Sequence, residues 1–370
     1  MLRIKKKRNE KVSIRVKVCI TNSTVGNICV TNSIFNIIII IKKSSFGGFR
    51  RPMKVTQHIK KANGNTQFSF EILPPLKGQH IQSIFDNIDP LMEFKPPFID
   101  VTYHREEYVY KELENGLLKK QVVKKRPGTV GICSAIQNKY SVDAIPHILC
   151  GGFTKEDTEN FLIDLDFLGI DNVMALRGDA VKSETYFKPE REGHSYATEL
   201  VAQIQELNKG NYLDEELLNS SATNFCVGVA AYPEKHMEAP SLDSDIHFLK
   251  KKIKNGAEYI VTQMFFDNQK YFDFVKKCRK ADITVPIIPG LKPIATKKQL
   301  NLIPHRFHVD LPEDLIIEVV KCKDNAQVKQ VGIEWCIQQS KELQKAGIPV
   351  LHYYSMGKSD NIKTIASNVF

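Results

Sequence analysis

The chain has 370 residues, 42% of them hydrophobic and 25% charged, which excludes a disordered or fibrous protein and provides for one large core or two smaller ones. Its formal charge of +10 invites a nucleic-acid reading, but the excess is local. Residues 1–52 hold twelve Lys/Arg against the single acid Glu10, whereas the rest holds 40 basic and 41 acidic residues, so the main body has no surplus of charge for a polyanion groove.

In chain order, the leader comes first. It carries KKKR at residues 5–8 and an apolar run over residues 34–41 interrupted by Asn36, far short of the roughly twenty residues a bilayer span needs. It reads as a targeting peptide, a basic arm, or sequence upstream of a protein that begins at Met53. The last is favoured, with residues 1–52 expected to be disordered or foreign to the native protein and residues 53–370 expected to form the working domain. The eight cysteines (Cys19, Cys29, Cys133, Cys150, Cys226, Cys278, Cys322, Cys336) are scattered without CxxC or other metal-ligand spacing. They read as reduced thiols of a cytoplasmic protein.

From Gln67 onward, short apolar runs alternate with stretches of helical period. The runs are QFSFEIL (67–73), FIDVTYH (98–104), AIPHILC (144–150), NVMALRG (172–178), FCVGVAAYP (225–233), YIVTQMFF (259–266), VPIIPGL (285–291) and VLHYYSM (350–356). Between them, TKEDTENFLIDLDFLG (154–169) opens on a Thr cap with an acid at the third helical position and closes on glycine. Eight such βα units predict an α/β fold, a (β/α)8 TIM-type barrel in one domain, with extra helices before the last strand. A doubly wound sheet is the alternative, but no GxGxxG turn supports it.

In such a barrel the chemistry gathers at the C-terminal strand ends. Reading each run at its end gives Glu71, then Thr102, Tyr103 and His104, then His147, then Arg177, Gly178 and Asp179. Tyr232 with His236, Gln263, Lys292 with Gln299, and Tyr354 to Lys358 complete the rim. No HxH, HExxH or GxSxG pattern occurs, so metal and serine-hydrolase chemistry have no support. The aromatic, imidazole and basic groups suit a large planar cofactor bearing phosphates.

The motifs FSFEILPP, VTYH, IPHILC, ALRGD, VAAYPEKH, VTQMFFD, IIPGL and HYYSMGKSD occur in that order across nearly all of residues 53–370. Together they closely resemble the methylenetetrahydrofolate reductase family, in its bacterial catalytic-domain form. The resemblance implies a TIM-type barrel holding FAD non-covalently. It implies ping-pong hydride transfer from NADH or NADPH, with NADH preferred, through the flavin to 5,10-methylenetetrahydrofolate, giving 5-methyltetrahydrofolate for methionine synthesis.

The resemblance makes Glu71 the general acid that protonates the departing ring nitrogen, its proton held by apolar neighbours for which Phe70, Ile72 and Leu73 are candidates. Asp179 is implied as a fixed charge beside flavin and pterin. Gln263, Gln299, Tyr354 and Lys358 are implied on the substrate side, and Phe265 and Phe266 are either a stacking surface or core. Thr102, Tyr103, His147, Leu176, Arg177, Gly178, Asp179, Tyr196, Ala197, Tyr232, His236, Asp245 and Lys252 fall on the FAD positions, with Lys252 suited to phosphate.

Departures from the pattern are His104 and Arg105 in place of Gly-Ala, Phe248 in place of a small polar residue, Lys358 in place of arginine, and Ile72-Leu73 in place of a Phe pair. They imply altered adenine-side and substrate-tail contacts. The chain ends soon after the last motif, so no C-terminal regulatory domain is expected. A homo-oligomer is implied, with no nucleic-acid or membrane partner. The competing readings are another FAD-dependent barrel of proline-dehydrogenase type and a non-catalytic barrel tethered by its basic arm.

Overall fold

The computed structural model describes residues 52–370 apart from residues 182, 183 and 356. Expectations for residues 1–51 lie outside the described residues. The strands are β1 (Gln67–Ile72), β2 (Phe98–Val101), β3 (Glu107–Glu112), β4 (Leu118–Val123), β5 (Asp143–Leu149), β6 (Asn172–Leu176), β7 (Cys226–Ala231), β8 (Tyr259–Thr262), β9 (Ile287–Ile288), β10 (Gly290–Leu291) and β11 (Val350–Tyr354). The helices are α1 (Val55–Lys61), α2 (Gln82–Ile88), α3 (Thr129–Tyr140), α4 (Lys155–Phe167), α5 (Ala197–Leu207), α6 (Leu242–Lys254), α7 (Asn268–Lys280), α8 (Gln299–Phe307), α9 (Glu313–Lys321), α10 (Asn325–Lys345) and α11 (Asp360–Val369).

Nine strands form one sheet in the order β10-β11-β1-β2-β5-β6-β7-β8-β9, every pairing parallel. The two ends of this order are halves of the run VPIIPGL. Ile287 and Ile288 pair with β8, while Gly290 and Leu291 pair with β11. Pro289 separates them because it has no N–H to give a neighbouring strand; its carbonyl still accepts from His352 N–H at 3.1 Å. The sheet therefore closes on a bent eighth strand, and the predicted barrel is the observed architecture.

Alternation along the strands builds two cores. Phe70, Ile99, Val173, Val227, Ile260 and Tyr353 face outward under the helices. Phe98, Ile145, Met174, Tyr259, Val261, Ile288 and Val350 face inward and close the barrel floor together with Val55 of α1. Polar residues at the strand starts hold α1 there. Asn172 Oδ1 accepts from Val55 N–H at 2.9 Å, and Asp143 Oδ2 lies 2.5 Å from His58 Nε2. With the N-terminal end plugged, a ligand must enter at the C-terminal ends of the strands.

Between β2 and β5 the chain forms an exposed antiparallel hairpin, β3 with β4, that was not among the predicted elements. The extra helices expected before the last strand are α8, α9 and α10. Cys133, Cys150, Cys226, Cys278, Cys322 and Cys336 are buried free thiols. Among the described residues no helix is long and apolar enough to cross a membrane.

Candidate active site

Glu71 is the last inward-facing residue of β1, half-buried at the rim. Its Oε1 accepts from Thr102 Oγ1 at 2.9 Å, and its Oε2 lies 3.5 Å from His147 Nε2. Ser355 fixes the strand end by donating its hydroxyl to the Glu71 carbonyl at 2.7 Å. The shielding expected of Phe70 and Ile72 is not found: the period of two turns both side chains into the outer core, away from the carboxylate. Polar groups surround it instead. Lys292, buried just past β10, has its ammonium pushed down to about 8 by burial, with the Glu71 charge opposing that shift.

Beneath this cluster sits Asp100, in register with Glu71 on the neighbouring strand β2 and only 1% exposed. Its Oδ2 lies 3.6 Å from the same His147 Nε2. Lys292 was expected at the rim, without an assigned role, whereas Asp100 was not among the expected site residues. The signal was present for Asp100: in FIDVTYH, alternation places it on the face shared by Phe98 and Thr102, inside the barrel.

A second cluster lies across the ends of β6, β7 and α6. Arg177 forms a bidentate pair with Glu238 at 2.5 and 2.8 Å and lies with its guanidinium carbon 5.0 Å from the Phe187 ring centroid. Gly178 adopts φ +83°, and a Cβ there would meet Leu149 at 3.4 Å. Tyr232 packs edge-on against His236, their centroids 4.7 Å apart. Asp245 Oδ2 accepts from His236 N–H at 2.9 Å, while Lys252 Nζ donates to the Ala230 carbonyl at 3.0 Å. Burial drives the Lys252 ammonium and the His236 imidazole to lower pKa and the Tyr232 phenol to higher pKa.

Other expected cofactor positions surround this cluster. Asp179 is exposed at the rim, its field reaching Tyr232 and Arg177. Tyr196 is the exposed N-cap of α5 and Ala197 its buried first residue. Leu176 ends β6, half-buried. Tyr103 packs on Phe153 at 5.1 Å, its phenol raised to about 12 by burial. Arg105, one of the departures, lies against the positions a Cβ of Gly151 or Gly152 would take and pairs with Glu184.

The substrate-side expectations divide. Gln263 is half-buried at the end of β8 with its Oε1 accepting from Met264 N–H at 2.9 Å, and Lys358 is exposed past β11. Gln299, by contrast, staples its own loop, its Oε1 accepting from the N–H groups of Ala295 and Thr296 at 2.7 and 3.0 Å. Tyr354 commits its hydroxyl proton to the Thr262 carbonyl at 2.7 Å, next to Gly290. Phe265 and Phe266 are core, with Phe265 stacked on Tyr271 at 5.3 Å.

Residues 54–369 match the family profile of methylenetetrahydrofolate reductase. Methylenetetrahydrofolate reductase 1 of Schizosaccharomyces pombe is 31% identical over 80% of this chain and 45% of its own length. Methylenetetrahydrofolate reductase (NADH) 1 of Arabidopsis thaliana is 30% identical over 86% of this chain and 51% of its own. The chain thus spans about half the length of these two relatives. The 5,10-methylenetetrahydrofolate reductase of Escherichia coli is 29% identical over 83% of this chain and 91% of its own. Among solved structures, a Clostridium thermocellum protein described as binding two copies of 5-methyl-5,6,7,8-tetrahydrofolic acid superposes with TM-score 0.51 at 15% identity. It covers 84% of this chain and 97% of its own, a likeness of fold alone.

Proposed function

The chain belongs to the methylenetetrahydrofolate reductase family, and on that premise we propose that it reduces 5,10-methylenetetrahydrofolate to 5-methyltetrahydrofolate with NAD(P)H through FAD in a ping-pong sequence. The observation that carries the reading is the convergence of Glu71, Thr102 and His147 at the open rim of a barrel matched by the family along nearly its whole length. The folate-binding description of the Clostridium protein agrees with it. The family match also favours this reading over another flavin barrel.

The residues present fit an FAD. The Lys252 bond to Ala230 uses one of three ammonium N–H donors. Arg177 and His236 add basic or donor groups beside it, and Gly178 leaves the backbone uncovered where a side chain would stand. Lys252 and Arg177 would hold phosphate, and Asp245 would orient a ribose or adenine. When bound, the flavin supplies hydride transfer between nicotinamide and folate.

The protein's own share is proton management. Glu71, oriented by Thr102 Oγ1, delivers its proton to the folate nitrogen that leaves as the five-membered ring opens. Asp179 offers a fixed negative charge to the iminium cation so formed. Gln263 presents the donor half of its amide to the pterin, its acceptor half being held by Met264. The test is chromatographic. Flavin-loaded protein incubated with methylenetetrahydrofolate and either NADH or NADPH should yield 5-methyltetrahydrofolate, and absence of that product with both nucleotides refutes the reading.

A further inference from the structure

Asp100 poses a physical problem that the reaction as described does not use. A carboxyl group 1% exposed is expensive unless it is paired and hydrogen-bonded, yet neither of its oxygens has a hydrogen-bond partner among the described residues. Below it lies the apolar floor of Phe98, Ile145 and Met174. The Tyr259 hydroxyl, also buried and without a partner, feels its charge. The nearest cationic atom is His147 Nε2 at 3.6 Å, and that same nitrogen lies 3.5 Å from Glu71 Oε2. One imidazole nitrogen thus stands between a carboxylate at the rim and one sealed beneath it.

We propose that Asp100 is a positioning residue whose sealed carboxylate holds the His147 imidazole in its cationic form, with Nε2 turned between Asp100 and Glu71. This rests on the reading of Glu71 as the proton donor. A cation 3.5 Å from Oε2 stabilises the carboxylate left on Glu71 once its proton has moved to the leaving nitrogen. The negative charge of Asp100 keeps the imidazole cationic while Glu71 still holds its proton, and it partly offsets the pull of that cation on the proton.

The groups facing His147 are Glu71 from β1, Asp100 from β2, His104 beyond β2 and His352 from β11, with Tyr259 of β8 beside Asp100 and Lys292 beside Glu71. With Glu71 and Asp100 both ionised, as in the resting protein, their charges outweigh burial and the His147 pKa is raised. His352 is held differently: burial lowers its pKa, and its Nδ1 is occupied by Ser69 Oγ at 2.9 Å.

The experiment is an NMR titration of the imidazole 15N and 13C signals, with His147 assigned by its loss in His147→Gln, on the purified flavin-loaded protein and its Asp100→Asn variant. In the parent, His147 should titrate above the ordinary 6.5. In Asp100→Asn its midpoint should fall by about one unit or more. Reoxidation of reduced enzyme by the folate should slow at least roughly tenfold, while nicotinamide still bleaches the flavin. A parent His147 that titrates below 6.5 overturns the proposal even if Asp100→Asn does not fold, and so does an unchanged midpoint in a folded variant. If nicotinamide fails to bleach the parent, the reductase reading fails instead, and the imidazole titration decides the role of Asp100 separately.

Discussion

Glu71 is a residue whose importance shows in the sequence and whose surroundings do not. A carboxylate ending an apolar strand before two prolines stands out, but its neighbours in space come from other strands, and Phe70 and Ile72 are sent the other way by strand alternation. Lys292 illustrates the same limit. Its ammonium titrates near 8 when folded against an ordinary 10.5, so between those pH values the unfolded chain binds a proton that the folded chain has released. Folding stability must then rise with pH across that window. Relative to Lys292→Met, the parent should gain up to about 3 kcal/mol between about pH 8 and 10.5, measured as the difference in urea unfolding free energy. A parent and variant that run parallel across the window would contradict the buried charge. Gln299, expected on the substrate side from the loop after VPIIPGL, spends its acceptor on that loop, a local bond that strand-end reading does not reveal.

Among the elements, the barrel strands and the main helices are legible because each carries its own period and its own ends. Thr154 caps α4 as its motif predicts, its Oγ1 accepting from Asp157 N–H at 3.0 Å. The hairpin of β3 and β4 was missed although Asn115-Gly116 is a turn signal between alternating residues, with Gly116 at φ +77°. A hairpin that contributes no strand to the barrel is invisible to a search for repeating βα units. The division of VPIIPGL into β9 and β10 was equally hidden, since both halves are apolar and only their different partners separate them. Packing can also reverse what local preference suggests. Gly332 lies inside α10, where alanine is favoured by about 1 kcal/mol. A Cβ there, however, would stand 1.9 Å from the Ile294 carbonyl oxygen, where the helix meets the segment after β10. Gly332→Ala should therefore destabilise the protein by about 3 kcal/mol, read from the urea midpoint, whereas a gain in stability would show that the two backbones can part freely.

For the whole molecule, the division of charge was the most useful reading of composition, since it moved the basicity to residues 1–52 and left a body with nearly balanced charge. A barrel of residues 53–370 should accordingly bind no duplex DNA at moderate salt in a filter-binding titration, and a steep salt-dependent affinity in that segment would contradict the assignment of the basicity to residues 1–52. The closed barrel with a plugged floor explains why the candidate chemistry lies at one end. It also explains why Asp100, two residues before Thr102 along β2, falls beneath that chemistry and not within it. The central proposal is that nicotinamide and folate use one rim in turn beside a bound flavin, with Glu71 needed for the folate only. Anaerobic stopped-flow absorbance tests it directly: flavin-loaded protein is mixed with NADH and then with methylenetetrahydrofolate. The expected result is bleaching of the flavin band by NADH and its return on adding the folate, with Glu71→Gln losing the return and keeping the bleaching. A parent protein that binds no flavin, or whose bleached flavin the folate never restores, would contradict it.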